Sequence, residues 1–328
     1  MKNILIFSIE NDSTTHQVID WIIYYNYNPI IIETSNLTEF LQEITISTNS
    51  NSFEFNYKDK LIHSDSIIAY WYRRSHPINP EKWSFVFKYN EIDEFTFNEL
   101  KYLNYALFHV LKEKRGINNM LNVNVDKIQS LIIANECGLK IPPTKIILNG
   151  SKLNEVVKNS KKNYINKPIF NVNFIEFEGE KYLQYTSLIN QKYTFDHRKK
   201  ESIFPTLIQD EIKKMVELRI FFLDNKLWSM AIFSQNDVQT AEDFRRYNNK
   251  RPNRTVPFNL PKNISEKLIL FMKRMDINCG SIDMILDFDE NYYFLEVNPV
   301  GQFGMTSGPC NYYLEKELSE ILMKDEKK

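Results

Sequence analysis

Two acidic residues near the C-terminal end of the chain have a spacing that suits a cation site. Asp283 and Glu296 lie in two predicted strands joined by a tight turn at 289–290, which places them directly opposite each other in a hairpin. Asn298 shares the face of Glu296, because side chains alternate along a strand. Facing carboxylates repel each other unless a cation lies between them, and carboxylate and amide oxygens suit Mg²⁺ that holds a phosphate. The alternative is a solvated hairpin face that tolerates both charges.

Two lysines are candidates for binding the same phosphate. Asn124 is expected to cap a helix that places Lys127 at its third position, where a cation opposes the helix dipole. A lysine beside the free amides of a helix N-terminus makes an anion site, and the alternative is a solvated lysine. Lys167 lies in the apolar predicted strand 164–169, directly before a proline, and we expect it to bind the α- and β-phosphates.

A further polar group lies between these lysines and the acidic hairpin. The backbone from Gln209 to Ile212, at the end of a predicted strand, is suited to bind an adenine edge. Glu217 and Arg219 share one face of the next strand. A glutamate there can bind ribose hydroxyls, and an arginine can hold a carboxylate or phosphate through two hydrogen bonds. The alternative for this pair is a cross-strand ion pair, worth under about 1 kcal/mol when exposed.

The composition excludes several other kinds of site. The chain has 41 Lys and Arg against 42 Asp and Glu, so it lacks the broad positive field that attracts nucleic acid or an anionic membrane. Its 8 glycines nowhere form the G-x-G-x-x-G or Walker spacing, which excludes a Rossmann fingerprint and a phosphate-binding P-loop. The 5 histidines form no H-E-x-x-H motif. We therefore expect no nucleic-acid partner and no zinc hydrolase chemistry.

The hydrophobic content and the cysteine pattern are typical of a folded protein from a reducing compartment. Hydrophobic residues make up 43% of the 328 residues, which suffices for a buried core and about two domains. The 3 cysteines form neither a C-x-x-C motif nor a disulfide framework. No window approaches about 18 consecutive apolar residues. We therefore expect a cytoplasmic protein with no signal peptide and no membrane contact.

The elements that must position these residues begin with a β-α-β unit over residues 4–32. Strands are predicted over 53–74, followed by a long helix that ends before Gly116. The first domain boundary is placed there. The predicted domains are an N-terminal domain over 1–115, a central one over 116–200 and a C-terminal one over 201–328.

The remaining elements follow from apolar periodicity and helix caps. They are, in chain order, a helix that carries Lys127 and ends at Gly138, strands over 164–234 that include a hairpin over 217–234, a helix capped by Asn263 with Glu266, a strand pair over 281–298, and a C-terminal helix from about 311.

Taken in order, the candidate residues resemble the ATP-grasp superfamily over roughly 116–320. The matching positions are Lys127, Lys167-Pro168, Gln209 with Glu217, Asp283 and the run 294–299, of which the Asp…Glu-x-Asn end is the most specific. Four further segments resemble the graspetide synthetases, and more narrowly the peptide maturases of grasp-with-spasm systems. These segments are 70–74, 204–209, 217–220 and 298–304.

The resemblance implies an α/β (α+β) chain with the ATP-grasp fold. An N-terminal β-α-β pre-ATP-grasp domain would precede a small central domain and a C-terminal domain built on an antiparallel sheet. It also implies site residues: Lys127 and Lys167 on the ATP phosphates, Gln209 and Ile212 at the adenine hinge, Glu217 on the ribose, and Asp283, Glu296 and Asn298 on two Mg²⁺ ions.

Two arginines complete the set that the resemblance implies. Arg245 lies in the glycine-free polar segment 242–254 and matches an arginine that related ligases aim at the γ-phosphate or acyl-phosphate. Ser281 stands where members similar to D-alanine ligase carry an arginine, so that charge is expected from Arg219 or Arg245. The alternative for the segment 242–254 is a solvated loop.

The activity that the resemblance implies is the ATP-dependent maturation of a ribosomal precursor peptide with leader and core segments. An Asp or Glu side chain is phosphorylated, and a Ser or Thr hydroxyl, or a Lys amine, of the same peptide attacks to close an ω-ester or ω-amide ring. A homodimer is expected on the same ground. The alternatives are a ligase that joins an amino acid or a second peptide to a carboxylate, a catalytically idle peptide-binding module, and a kinase-like member of the superfamily.

Overall fold

The structure is a computed structural model, and it describes most of the chain with several gaps. The described residues are 2–34, 37–74, 90–120, 123–160, 162–169, 175–178, 180–182, 187–189, 202–234 and 252–324. Their elements are, in chain order, β1 (Asn3–Ser8), α1 (Ser13–Tyr24), β2 (Asn28–Glu33), α2 (Leu37–Gln42), β3 (Ile44–Ser47), β4 (Ser52–Tyr57), β5 (Lys60–His63), β6 (Ile67–Tyr72), α3 (Asn90–Leu111), β7 (Arg115–Ile117), α4 (Lys127–Glu136), β8 (Thr144–Asn149), α5 (Gly150–Lys158), β9 (Tyr164–Lys167), β10 (Ile175–Phe177), β11 (Glu180–Tyr182), β12 (Ser187–Ile189), β13 (Ser202–Asp210), β14 (Lys214–Leu223), β15 (Lys226–Phe233), β16 (Arg254–Phe258), α6 (Lys262–Arg274), β17 (Cys279–Asp287), β18 (Tyr292–Asn298), α7 (Gly304–Cys310) and α8 (Leu314–Met323).

The N-terminal part is built on a parallel sheet with the strand order β2-β1-β6-β7. Helix α1 joins β1 to β2, so the predicted β-α-β unit is confirmed. Every residue of β1 is buried, which fits a strand covered on both faces. Strand β7 begins at the predicted boundary near Gly116 but pairs with β6 in the N-terminal sheet. The boundary itself stays a prediction.

The central part is a small antiparallel sheet with the order β12-β9-β13-β8. Helix α5 covers one face, and the core there contains apolar residues such as Leu153, Val157 and Ile208. Strand β13 pairs with β8 and β9, although it lies beyond the predicted boundary between residues 200 and 201. That second boundary also stays a prediction.

The C-terminal part is a five-stranded antiparallel sheet with the order β16-β15-β14-β17-β18, as the predicted fold class requires. Helices α4 and α6 pack on one face through residues such as Leu131 and Leu268. The opposite face continues into a second core, where Phe221 and Phe303 pack with residues of the N-terminal sheet such as Trp71. The two sheets therefore share one packed interior.

Two predicted helix caps are wrong. Asp126, and not Asn124, caps α4, and its carboxylate accepts hydrogen bonds from the main-chain N–H groups of residues 128 and 129. Lys127 is therefore the first residue of the helix. A carboxylate also complements the positive end of the helix dipole, whereas an amide does not. The predicted C-terminal glycine is confirmed, because Gly138 follows α4 with a φ of +78°.

Helix α6 shows the second difference. It begins at Lys262 after Pro261, and no side chain caps it, so the predicted Asn263–Glu266 capping pair does not form. Pro261 occupies the cap position and has no side-chain acceptor, and its main-chain oxygen accepts hydrogen bonds from the N–H groups of Ile264 and Ser265. Among the helices of the described residues, none has the length and apolar character needed to span a membrane.

Candidate functional site

The candidate site is centred on the hairpin of β17 and β18. Asp283 lies directly opposite Glu296, as predicted, and Ser281 lies opposite Asn298. The predicted reason is only partly right. Near the turn the strand pairing differs by one residue from the predicted register, so that Met284 pairs with Phe294. Leu295 is an extra, unpaired residue that brings the pairing back to the predicted register at Glu296. This β-bulge turns Glu296 to the face of Asp283, while the neighbouring Phe294 points into the core.

Arg219 supplies a cation to this pair of carboxylates from within the chain. It lies beside Asp283 in the neighbouring strand β14, and its Nη1 is 2.7 Å from both carboxylate oxygens of Asp283. The side chains of Arg219 and Asp283 are only 7% and 16% exposed, so water screens their attraction weakly. The expectation that only a bound cation relieves the repulsion between Asp283 and Glu296 is therefore wrong, because Arg219 already offsets the charge of Asp283.

Lys127 provides a second cation on the other side of the hairpin. Its Nζ lies 3.9 Å from Glu296 Oε2 and donates a hydrogen bond of 3.3 Å to the main-chain oxygen of Pro168. Pro168 directly follows β9 of the central sheet. Lys127 thus bridges the central and C-terminal sheets, and the predicted phosphate ligand Lys167 ends the strand on the central side of this contact.

Glu217 is held in a buried polar cluster beside the hairpin. Lys214 Nζ lies 2.7 Å from Glu217 Oε1, and Ser234 Oγ donates a 2.6 Å hydrogen bond to the same oxygen. Burial raises the pKa of Glu217 above its usual value, and the charge of Asp283 adds to this, while Lys214 and Ser234 oppose it. Oε1 of Glu217 is therefore engaged by both Lys214 and Ser234. Glu217 shares one face of β14 with Arg219, because side chains alternate along a strand.

Gln209 and Ile212 lie where β13 of the central sheet leads into β14 of the C-terminal sheet. Gln209 is buried and its Nε2 donates a 3.0 Å hydrogen bond to Thr144 Oγ1. Ile212 is half-buried in the short connection between the two strands. Both residues thus lie at the junction of the two sheets, and their role at the adenine hinge stays a prediction. Arg245 lies outside the described residues.

Asn298 ends β18 on the same face as Glu296 and is exposed. Its Oδ1 accepts a 3.0 Å hydrogen bond from the main-chain N–H of Val300. Among the described residues, no group of three or more His, Cys, Asp or Glu is placed to hold a metal. The predicted set contains two carboxylates and one amide, and these oxygen donors fit Mg²⁺, a hard cation. The roles of Asp283, Glu296 and Asn298 as metal ligands stay a prediction.

Sequence analysis missed two members of the cluster, Lys214 and Ser234. Lys214 begins β14 three residues before Glu217, a spacing that points side chains to opposite faces of a regular strand, and the register shift between Lys214 and Val216 accompanies their contact. Ser234 lies at the end of β15, and only the pairing of β14 with β15 brings it to Glu217. The structure brings Lys127 of α4 and Arg219 of β14 to the acidic hairpin, and such cations are suited to bind and orient a polyanion.

Comparison with known proteins assigns this arrangement to a family. The family model described as a RimK-like ATP-grasp domain matches residues 124–322, which is more than half of the chain. The match includes the acidic hairpin, the Glu217 cluster and both lysines. No curated protein matches the sequence.

Solved structures with the same fold extend over the whole chain. The macrocyclase MdnC bound with the precursor peptide MdnA, from Microcystis aeruginosa MRC, has a TM-score of 0.77 and 24% identity, covering 98% of this chain and 99% of that one. A RiPP-associated ATP-grasp ligase of Chryseobacterium gregarium, in complex with ADP and a leader and core peptide, has a TM-score of 0.80 and 20% identity, covering 98% and 95%. The macrocyclase MdnB from Microcystis aeruginosa MRC has a TM-score of 0.74 and 20% identity, covering 99% and 100%. The N-terminal, central and C-terminal parts thus together form an ATP-grasp fold.

Proposed function

The chain belongs to the RimK-like ATP-grasp family, and from this premise we propose that it is an ATP-dependent maturase of a ribosomally made peptide. It phosphorylates Asp or Glu side chains of the peptide and closes ω-ester rings with Ser or Thr, or ω-amide rings with Lys. ADP and phosphate are released. The observation that carries the proposal is the acidic hairpin, faced by Lys127 at 3.9 Å and by Arg219 at 2.7 Å.

The structural relatives support a peptide as the substrate. Two of them, MdnC and the Chryseobacterium gregarium ligase, are bound to precursor or leader and core peptides. Another relative, the ATP-grasp ligase PsnB, is complexed with a minimal precursor, Mg and ADP. We extend ATP, Mg²⁺ and a peptide substrate to this chain because it matches these proteins over nearly its whole length.

The nucleotide roles follow the geometry of the two sheets. Lys127 and Lys167 bind the phosphates, since Lys127 contacts both Glu296 and the residue that follows Lys167. Gln209 and Ile212 bind the adenine, and Glu217 binds the ribose. The metal ligands are Asp283, Glu296 and Asn298, for two Mg²⁺ ions. Bound Mg²⁺ would offset the negative charge of the transferring phosphoryl group.

The reaction requires activation because a carboxylate is a poor electrophile. An oxygen of the peptide carboxylate attacks the γ-phosphorus of ATP, the bond to the β-phosphate oxygen breaks, and ADP leaves. The resulting acyl-phosphate is attacked by a hydroxyl or amine of the same peptide, and phosphate leaves as the hydroxyl or amine loses its proton. Arg219 and Arg245 are the proposed cations for the substrate carboxylate and the transferred phosphoryl group.

Mass spectrometry of a co-expressed peptide tests this function. The peptide is the product of a small open reading frame beside the gene, and each ring formed removes one water from its mass. The matched negative control is the same co-expression with Glu296→Gln. Gain of an amino acid residue would show ligation without cyclisation, gain of phosphate a kinase, and an unchanged mass under conditions that support wild-type folding would contradict the proposal.

The location and assembly of the protein are part of the same proposal. Its three cysteines, Cys137, Cys279 and Cys310, are all free and buried, which suits a reducing cytoplasm. A homodimer is expected, and light scattering of the purified protein tests it, since a mass of 39.1 kDa would indicate a monomer.

A further inference from the structure

The turn that follows Asn298 is held by side chains from the N-terminal part of the chain. Three successive main-chain carbonyls, those of residues 299–301, each accept a hydrogen bond from that side. Asn118 Nδ2 donates to the first at 2.7 Å. Arg73 Nη1 donates to the other two, at 3.1 Å in the case of Gly301. Pro299 and Gly301 are buried, so their carbonyls require hydrogen-bond partners from within the protein, and Asn118 and Arg73 supply them.

Arg73 is an unusual residue to bury. Its side chain is 1% exposed, and beyond the turn it contacts Asp12 at 3.5 Å and donates a 2.8 Å hydrogen bond to Thr14 Oγ1. Burying a guanidinium carries a large desolvation cost, which an apolar residue would avoid. Arg73 contacts both the start of α1 and the turn after β18. These contacts therefore hold the start of α1 and the turn in a fixed position relative to each other.

Asn118, like Arg73, makes hydrogen bonds to two separate parts of the chain. It lies one residue after β7, its Nδ2 also donates a 3.0 Å hydrogen bond to the main-chain oxygen of Cys279, and its main-chain N–H donates to Asn278 Oδ1. Asn118 therefore ties the turn after β18 to the beginning of β17. Its φ of +54° is tolerated by asparagine and glycine and by few other residues.

The turn in its fixed position also holds the side chain of Asn298 by hydrogen bonds. Asn298 Oδ1 accepts from the N–H of Val300, and Asn298 O accepts a 2.9 Å hydrogen bond from the N–H of Gly301. Gly301 has a φ of +57°, and a Cβ there would lie 3.2 Å from the ring of Phe221. The amide oxygen thus keeps its place only as long as the turn does.

We propose that Arg73 and Asn118 are positioning residues that hold Asn298 where it can bind Mg²⁺. The inference rests on the metal role of Asn298 in the proposed function. It makes the N-terminal sheet a structural part of the nucleotide site, through two buried side chains that act by way of the turn at 299–301.

Calorimetry of ADP binding with and without Mg²⁺ tests the inference in the full chain. The first variant is Asn118→Gly, because glycine adopts the positive φ of this position without strain. The second is Arg73→Lys, which keeps the charge. The control is Leu318→Ala, a fully buried residue of the adjoining core that lies in helix α8. Both variants are expected to lose about tenfold of the affinity gain that Mg²⁺ gives, which is the usual effect of removing a partner that orients a metal ligand. Leu318→Ala should keep the wild-type gain.

Hydrogen exchange of the metal-free protein gives a second readout. The amides of Val300 and Gly301 should exchange about tenfold faster in Asn118→Gly than in wild type, and at the wild-type rate in Leu318→Ala. If the folded variants gain as much ADP affinity from Mg²⁺ as wild type does, the inference is overturned, whatever their exchange rates. If Arg73→Lys does not fold, the result for Asn118→Gly decides alone.

A wild-type protein whose ADP affinity does not change with Mg²⁺ would contradict the proposed function itself, and this result is distinguishable from the failure of the inference.

Discussion

The two halves of the candidate site rest on very different foundations. The acidic hairpin belongs to a sheet backed by a core of 19 buried residues. The central sheet, which carries Lys167 and Gln209, has a core of 6 buried residues among those described. The hairpin acids also have partners within the chain, since Arg219 contacts Asp283 and Lys127 lies near Glu296.

This difference indicates how the site can both hold and admit a nucleotide. Elements with few buried apolar contacts open at a lower free energy than core strands do. The acidic half is therefore the fixed half, already arranged for cations, and the central sheet is the half that yields when a ligand enters. Exposed apolar residues on the central sheet, such as Leu148 and Phe204, are consistent with its thin core.

The largest expected effect follows from removing one charge of the fixed half. Glu296→Gln should leave the fold intact and lower turnover by about 10³-fold, because a metal ligand worth several kcal/mol is lost. Turnover is measured as ADP released in the presence of the peptide, and folding as the thermal midpoint. The matched control is Glu290→Gln, an exposed residue in the turn of the same hairpin. Near-normal activity of Glu296→Gln would contradict the assignment.

A second effect concerns stability without Mg²⁺. Relief of a like-charge pair alone predicts that Asp283→Asn stabilises the protein. The contact with Arg219 reverses this sign, because the variant leaves a buried guanidinium without its carboxylate. We expect a loss of about 3 kcal/mol in the free energy of unfolding, measured with urea in a chelator. The double variant Arg219→Met/Asp283→Asn should recover most of the loss, and a stabilised single variant would refute the pairing.

The comparison of the two sheets can itself be measured by hydrogen exchange of the unliganded protein. The amides of β9 and β13 should open at a free energy at least about 2 kcal/mol below that of β14 and β17, because the described part of their core is smaller. Addition of Mg·ADP should slow exchange in β9 and β13 far more than in β17. Equal protection of both sheets before ligand addition would break the comparison.

The smallest effect is a pH dependence that comes from Glu217. Burial holds the pKa of Glu217 above its ordinary value of 4.5, so the folded state keeps this proton at a pH where the unfolded chain has lost it. Stability supplied by this group is therefore lost as the pH rises above 4.5. Urea unfolding at about pH 4 and pH 7 should show Glu217→Gln gaining on wild type with rising pH. A difference that does not change with pH would argue against the raised pKa.

Much of the fixed half was predictable because its signals are local. The hairpin pattern of two consecutive strands predicts Asp283 opposite Glu296, although the bulge at Leu295 is also needed to bring them together, and the glycine after α4 marks the end of that helix. The partner of Asp283 was not predictable in the same way. Arg219 reaches it only because β14 and β17 are neighbours in a sheet whose strand order the sequence does not display.

The predictions of the helix caps were wrong for a related reason. Asn124 and Asp126 are both acceptable caps by residue type, and the choice between them depends on where the chain leaves the preceding turn. Likewise, Asn118 and Arg73 carry no local sign of their contacts with the turn after β18. Both are far from that turn in sequence and meet it only after the N-terminal and C-terminal sheets have packed.

The bulge at Leu295 has a bearing on how relatives of this chain are compared. Since one extra residue in β18 sets which side chains face the acids, a homologue with a shorter bend and no bulge could present the same acids with different numbering. An alignment that forbids a gap inside this strand would then either match Phe294 of this chain with a polar position or misplace Glu296. Searches for further members should therefore allow a single-residue insertion or deletion at this point.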